Sequence, residues 1–270
     1  MRIVSLQPSV SVILKHLGRL DTLVACTRFC LEAVPELRSR SLTLVHDAWT
    51  TTTDELTALK PDLVIASVPY RHESLEAILK AGFPVLALAP HSLTDIYSDI
   101  RLIAAAVNAR EAGERKAASM QAAIVDTARR SATAKPRPLV YCEEWGKPLI
   151  HSQLWVKELV EAAGGEFVGA PGAVTNAKTV AEANPDVMIM AWCGAGMRVP
   201  LERIVEKRGW RDLLAVRESR VFCISEELLN TPAPTLVEGL RLLASTIRPE
   251  IYGVTLSQQM RCINFEAKTV

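Results

Sequence analysis

One pattern occurs twice in this chain, and it constrains the fold more than any other feature. Residues 51–66 read TTTDELTALKPDLVIA, and residues 177–191 read AKTVAEANPDVMIMA. Each is a short helical stretch, then a Pro-Asp turn, then an apolar run of strand length. The pairs Pro61-Asp62 and Pro185-Asp186 lie 124 positions apart in a chain of 270. A second echo, helix then glycine then strand, joins ILKHLGRLDTLVAC (13–26) to VKELVEAAGGEFVG (156–169). Two related α/β halves imply a ligand cleft between lobes, because the carboxyl ends of open parallel sheets are where such folds bind ligands.

The order of elements agrees. Strands are expected at 3–6, 23–27, 62–67 and 84–89 and helices at about 8–17, 54–59 and 73–81, a βα alternation that predicts a parallel sheet with right-handed crossovers. DLVIAS (62–67) is continuously apolar, as a strand covered on both faces should be. Residues 94–134 contain no proline and one glycine and are rich in Ala, Arg and Glu, so they read as a helix followed by a longer helix from Ala109 to Ser131. KPRP (135–138) stops it. Strands at 139–145, 187–192 and 220–224 and helices at about 153–163, 176–183, 201–208 and 235–247 build the second half. The organisation read from this is an N-terminal α/β lobe (1–107), a linking helix (108–134), a C-terminal α/β lobe (135–250) and a tail (251–270) without clear pattern.

Composition narrows the function. The apolar fraction is 49% and the formal net charge +1, with no block of like charges, which argues against nucleic acid as partner. No apolar run approaches the length of a membrane span. The opening MRIVSLQPS starts on a strand and carries no signal-like segment, so a cytoplasmic protein is expected, with a periplasmic or lipid-anchored one as the alternative. The six cysteines lack paired metal-ligand spacing and read as buried thiols. There is no phosphate-binding glycine loop, nucleophile elbow or HExxH, so no enzyme is expected.

The segments RIVSLQPS (2–9), LTALKPDLVIA (56–66), AGG (163–165), NPDVMI (184–189), GWRDLLAVRESRVF (209–222) and PAPTLVEGL (232–240), in this order and spacing, resemble the rigid-helix class of ABC-transporter solute-binding proteins. The resemblance covers about residues 2–250 and lies nearest the cobalamin-binding branch. It implies two Rossmann-like lobes with parallel sheets joined by one long helix, and a corrinoid such as cobalamin, or haem or a ferric siderophore, as ligand, with no cofactor required. A monomer and small lobe motions are expected. In that family a glutamate seven residues before each Pro-Asp pair docks on arginines of the permease. Here those positions hold Asp54, which keeps the charge, and Lys178, which reverses it, so docking to an ABC permease is in doubt and a carrier or sensor role is implied. Glu182 is the acid nearest Lys178.

Strand-end loops supply the candidate ligand contacts: Gln7, Pro8, Ser9, Phe29, Asp47, Trp49, Pro69 and Tyr70 in the first lobe, and Glu144, Trp145, Trp192, Cys193, Glu226 and Leu229 in the second. Trp49, Trp145 and Trp192 offer the aromatic faces that a flat macrocycle needs. Glu143 and Glu144, adjacent on a strand, point to opposite faces, so at most one serves a site. His91 and His151 are candidate axial ligands for cobalt or iron. A tetrapyrrole chelatase with a His and a Glu in the cleft is the enzymatic alternative.

Overall fold

The computed structural model describes residues 1–255 and 257–265. The chain divides into two compact units, Met1–Met120 with Pro232–Pro234, and Gln121–Thr231 with Thr235–Val270.

The first unit runs β1 (Ile3–Ser5), α1 (Pro8–His16), β2 (Leu23–Cys26), α2 (Arg28–Ala33), β3 (Thr43–Leu44), α3 (Thr53–Leu59), β4 (Leu63–Ser67), α4 (His72–Lys80), β5 (Val85–Leu88) and α5 (Leu93–Ala106), and enters α6 (Arg110–Ser131). Its five strands are parallel throughout, in the order β3-β2-β1-β4-β5. The chain starts in the middle of the sheet and builds outward to both sides, which places the switch point between β1 and β4. Val4, Leu6, Val64 and Ala66 form the core with Leu56 of α3 and Ile78 of α4. Residues 28–52, for which the sequence showed no regular element, contain α2 and β3.

The second unit completes α6, which the division crosses between Met120 and Gln121. It continues through β6 (Leu139–Gly146), β7 (Leu149–His151), α7 (Leu154–Ala162), β8 (Glu166–Phe167), β9 (Val174–Thr175), α8 (Ala177–Ala183), β10 (Val187–Met190), α9 (Leu201–Arg208), α10 (Leu214–Arg217), β11 (Val221–Ile224), α11 (Leu236–Ile247), α12 (Pro249–Tyr252) and β12 (Met260–Cys262). The sheet order is β12-β11-β10-β6-β7-β9, with β8 also on β6.

Here the expectation of a parallel sheet is corrected. β6, β8, β10 and β11 pair in parallel, but the β6–β7, β7–β9 and β11–β12 pairs are antiparallel, so the sheet is mixed. Only Lys147 and Pro148 separate β6 from β7, and a connection that short cannot make a crossover. The tail likewise contributes an edge strand, β12, where no pattern was legible; the expectation for the tail beyond Phe265 falls outside the described residues. The core is Tyr141, Met188, Met190, Leu201, Val205, Trp210 and Cys223, all without exposed surface.

The repeated pattern has one structural meaning. α3 and α8 both span seven residues and end on a left-handed residue, Lys60 (φ 45°) and Asn184 (φ 43°), which the Pro-Asp pair follows. Proline stops the helix, and the aspartate then binds backbone at the entrance of the central strand, Asp62 on Arg2 and Asp186 on Leu139.

Candidate functional site

In the first unit the strand-end loops are tied together at the switch point. Gln7, which precedes α1, donates its side-chain N–H to the Pro69 carbonyl at 2.9 Å. The Ala48 N–H reaches the Leu6 carbonyl at 3.3 Å, and the Arg71 N–H reaches the Ala48 carbonyl at 3.3 Å. Asp47 closes the 47–50 turn, one carboxylate oxygen accepting from the N–H groups of Trp49 and Thr50 and from the Thr50 hydroxyl. This leaves the Trp49 side chain 50% exposed on a rigid turn. Pro69 is exposed and Tyr70 half-buried beside it. Phe29 lies in α2 with the Arg28 guanidinium over its ring at 4.6 Å. Pro8 begins α1 and Ser9 is buried within it.

In the second unit the switch point lies between β6 and β10. A pocket of ≈ 320 Å³ opens there, lined by Trp145, Gly146, Lys147, Trp192, Cys193, Gly194 and Ala195. Trp145 is 44% exposed and donates its indole N–H to the Lys147 carbonyl at 2.9 Å. Trp192 is half-buried and donates its indole N–H to Glu143 at 2.8 Å. With both N–H groups used internally, the two indoles offer π faces, the surface suited to a flat ring. Any side chain at Gly146 would overlap the Trp192 ring, so that wall requires glycine.

The two glutamates divide as the pleat demands. Glu143 turns into the core, where Tyr141 and Arg208 bind it; Glu144 turns to the other face and accepts from the Gln153 amide at 2.9 and 3.1 Å. Burial raises the Glu144 carboxyl above its ordinary range, against the Gln153 hydrogen bonds. Burial, and after it the Glu144 charge, push the Cys193 thiol up to about 12, so it stays a thiol. Asn230 donates to Cys193 Sγ at 3.4 Å and to the Ala191 carbonyl at 2.5 Å. Glu226 accepts from the N–H groups of Gly194 and Gly196 at 3.1 and 2.8 Å, fixing the loop after β10. Leu229 is fully buried, and its carbonyl accepts from Trp155.

The histidines are placed differently. His91 is exposed ahead of α5, its backbone N–H on Asp95 at 3.0 Å. His151 is 4% exposed, edge-on to Tyr141 with ring centroids 5.4 Å apart, and burial lowers its pKa, opposed by Glu143. Its imidazole, on β7 beside β6, is buried away from open solvent. Among the described residues no group of three or more His, Cys, Asp or Glu could hold a metal ion. Sequence reading missed Gly146, Lys147, Gln153, Arg208 and Asn230; the one usable signal was Glu143, since a carboxylate on a covered strand demands a buried donor.

The described residues contain no helix long and apolar enough to cross a membrane. Asp54 on α3 is exposed, and Lys178 on α8 is exposed and pairs with Glu182 at 3.7 Å.

Comparison with known proteins agrees with this architecture. An uncharacterized ABC transporter substrate-binding lipoprotein, YvrC, of Bacillus subtilis is 26% identical over 268 residues, covering 93% of this chain and 81% of that protein. A cobalamin-binding protein of Halobacterium salinarum is 23% identical over 255 residues, covering 90% of this chain and 68% of its own length. Among solved structures, a periplasmic heme binding protein from Pseudomonas aeruginosa superposes with a TM-score of 0.85 at 18% identity, over 97% of this chain and 98% of that one. Residues 3–228 match the family described as "Periplasmic binding protein". Its members bind substrates rather than transform them, which removes the chelatase alternative, and with the match running from the first strand past the last parallel one, this chain belongs to the periplasmic binding protein family.

Proposed function

We propose that the protein binds a corrinoid, or a closely related flat metal chelate, without chemical change, as the substrate-binding member of an ABC import system or as a carrier. One observation carries the reading: each sheet sets an exposed tryptophan near the carboxyl ends of its strands, Trp49 on a hydrogen-bonded turn and Trp145 near the end of β6, and the second sheet adds a pocket walled by Trp192 at its switch point. In the second unit, Glu144 and Cys193 supply polar groups for the ligand's periphery. Relatives that bind cobalamin and heme support this ligand class.

For permease contact, α3 carries the exposed Asp54 and α8 the Lys178–Glu182 pair, so each helix keeps an acid at its surface. The test is a tryptophan-quenching and visible-absorption titration with cyanocobalamin, cobinamide and hemin. Saturable quenching by a corrinoid that Trp145→Ala weakens supports the reading. Saturation by hemin alone reassigns the ligand, and no response to any of the three sinks it.

A further inference from the structure

Glu143 has no exposed surface, and a buried carboxylate is costly unless its lone pairs are all engaged. Here they are. Oε2 accepts from the Tyr141 hydroxyl at 2.5 Å and from Arg208 at 2.7 Å; Oε1 accepts from Arg208 at 2.9 Å and from the Trp192 indole at 2.8 Å. Two of these donors come from Arg208, at the end of α9, in a two-pronged arrangement that a lysine cannot reproduce.

The same guanidinium also reaches the pocket wall. Arg208 donates to the Gly146 carbonyl at 3.2 Å, and Gly146 is the residue on which the Trp192 ring lies. The Cζ of Arg208 lies 5.9 Å from the Trp192 ring centroid and 4.8 Å from that of Trp210. Arg208 therefore fixes the acceptor of the indole N–H and the backbone beneath the indole at once. A link that served only to hold α9 on the sheet would not need to involve a half-exposed, pocket-lining tryptophan.

We propose that Glu143 and Arg208 are positioning residues for ligand binding: they lock the indole of Trp192 in one orientation as a preformed wall of the pocket. This rests on the reading that the pocket receives the ligand. A wall that needs no ordering on binding saves the entropy of fixing a large side chain.

The test uses the full chain labelled with 5-fluorotryptophan, the Trp192 fluorine resonance being assigned by its loss in Trp192→Phe. In Arg208→Lys that resonance should broaden or split while those of Trp49 and Trp155 stay put. Affinity for whichever of cyanocobalamin, cobinamide or hemin binds the wild type should fall at least 5-fold in Arg208→Lys, with no further fall when the same change is made in the Trp192→Phe background. An unchanged Trp192 resonance overturns the proposal, as does an equal loss of affinity in both backgrounds, which would mark Arg208 as structural only. Wild-type affinity in both Trp192→Phe and Trp145→Ala would instead overturn the site assignment, whatever the fluorine spectrum does. If Arg208→Lys does not fold, Tyr141→Phe removes one of the four donors and should perturb the same resonance to a smaller extent.

Discussion

Asp186 accepts the backbone N–H of Leu139 at 2.6 Å while its own N–H donates to the Leu139 carbonyl at 2.9 Å. The two bonds stitch the entrance of β10 to the entrance of β6. Asp62 makes the matching pair with Arg2, at 2.7 and 2.9 Å, between β4 and β1. Removing either carboxylate leaves a strand-entrance N–H without its charged acceptor. Asp186→Ala is expected to cost about 1.5–3 kcal/mol, the range for a hydrogen bond to a charged group. Asp62→Ala should cost less, because Asp62 is exposed and water replaces it. Urea unfolding of both variants measures the difference, and a larger loss for Asp62 would contradict it.

Arg208→Ala leaves Glu143 buried with a charge and half of its donors. A loss of about 3–5 kcal/mol is expected, the range for stripping one member from a buried pair. Thermal unfolding followed by far-UV circular dichroism reads it. A loss under 1 kcal/mol would mean that water reaches Glu143.

Trp49→Ala and Trp145→Ala each remove an exposed aromatic face. Stability should change by no more than about 0.5 kcal/mol, as for other exposed positions. Corrinoid affinity should fall more than about tenfold, or about 1.4 kcal/mol, for each ring that stacks on the ligand. Fluorescence titration beside a melting curve separates the two effects.

Burial, and secondarily the charge of Asp95, raise the carboxyl of Asp99 on α5 to about 7. A raised folded-state value means that the folded protein holds this proton while the unfolded chain has released it. Stability therefore falls as pH rises from about 4, the ordinary carboxyl value, to about 7, and is flat above that. Asp99→Asn should remove this slope and raise stability at pH 8 by about 1–2 kcal/mol, a figure reduced for solvent screening. His16 and His151 act in the opposite direction: burial lowers both, and their penalty appears as pH falls below about 6.5. The acid limb should thus survive in Asp99→Asn. A pH series of urea midpoints for both proteins checks the sign.

Cys262 is exposed and Cys193 partly so, whereas Cys26, Cys30, Cys142 and Cys223 are buried. Native labelling with a thiol reagent should modify Cys262 first. Cys193 should follow slowly, since thiolate is the reactive form and its thiol is pushed up to about 12. Ligand should slow Cys193 and leave Cys262 unaffected, and peptide mass mapping distinguishes them.

Much of the framework was legible because covered strands must be apolar. DLVIAS and VMIMAW stood out as unbroken runs, and Pro-Asp marked where each begins. β7, β9 and β12 were not legible, since runs of two or three residues carry no periodicity and their pairing is set by neighbours. Trp145, near the end of β6, and Trp192, just past β10, could be read as strand-end residues. Arg208 could not: it lies 65 positions from Glu143, on an amphipathic helix whose other basic side chains follow the same pattern. Sequence indicates that a buried glutamate needs a partner, and only the fold selects which one.

Glu143 has no acceptor capacity left once Tyr141, Trp192 and Arg208 are bound, and the indole N–H of Trp192 is spent on it. A guest pressed against that wall meets a surface with nothing to trade. Discrimination there must come from thickness and outline, so ring substituents should matter by their bulk and hardly by their hydrogen-bonding character.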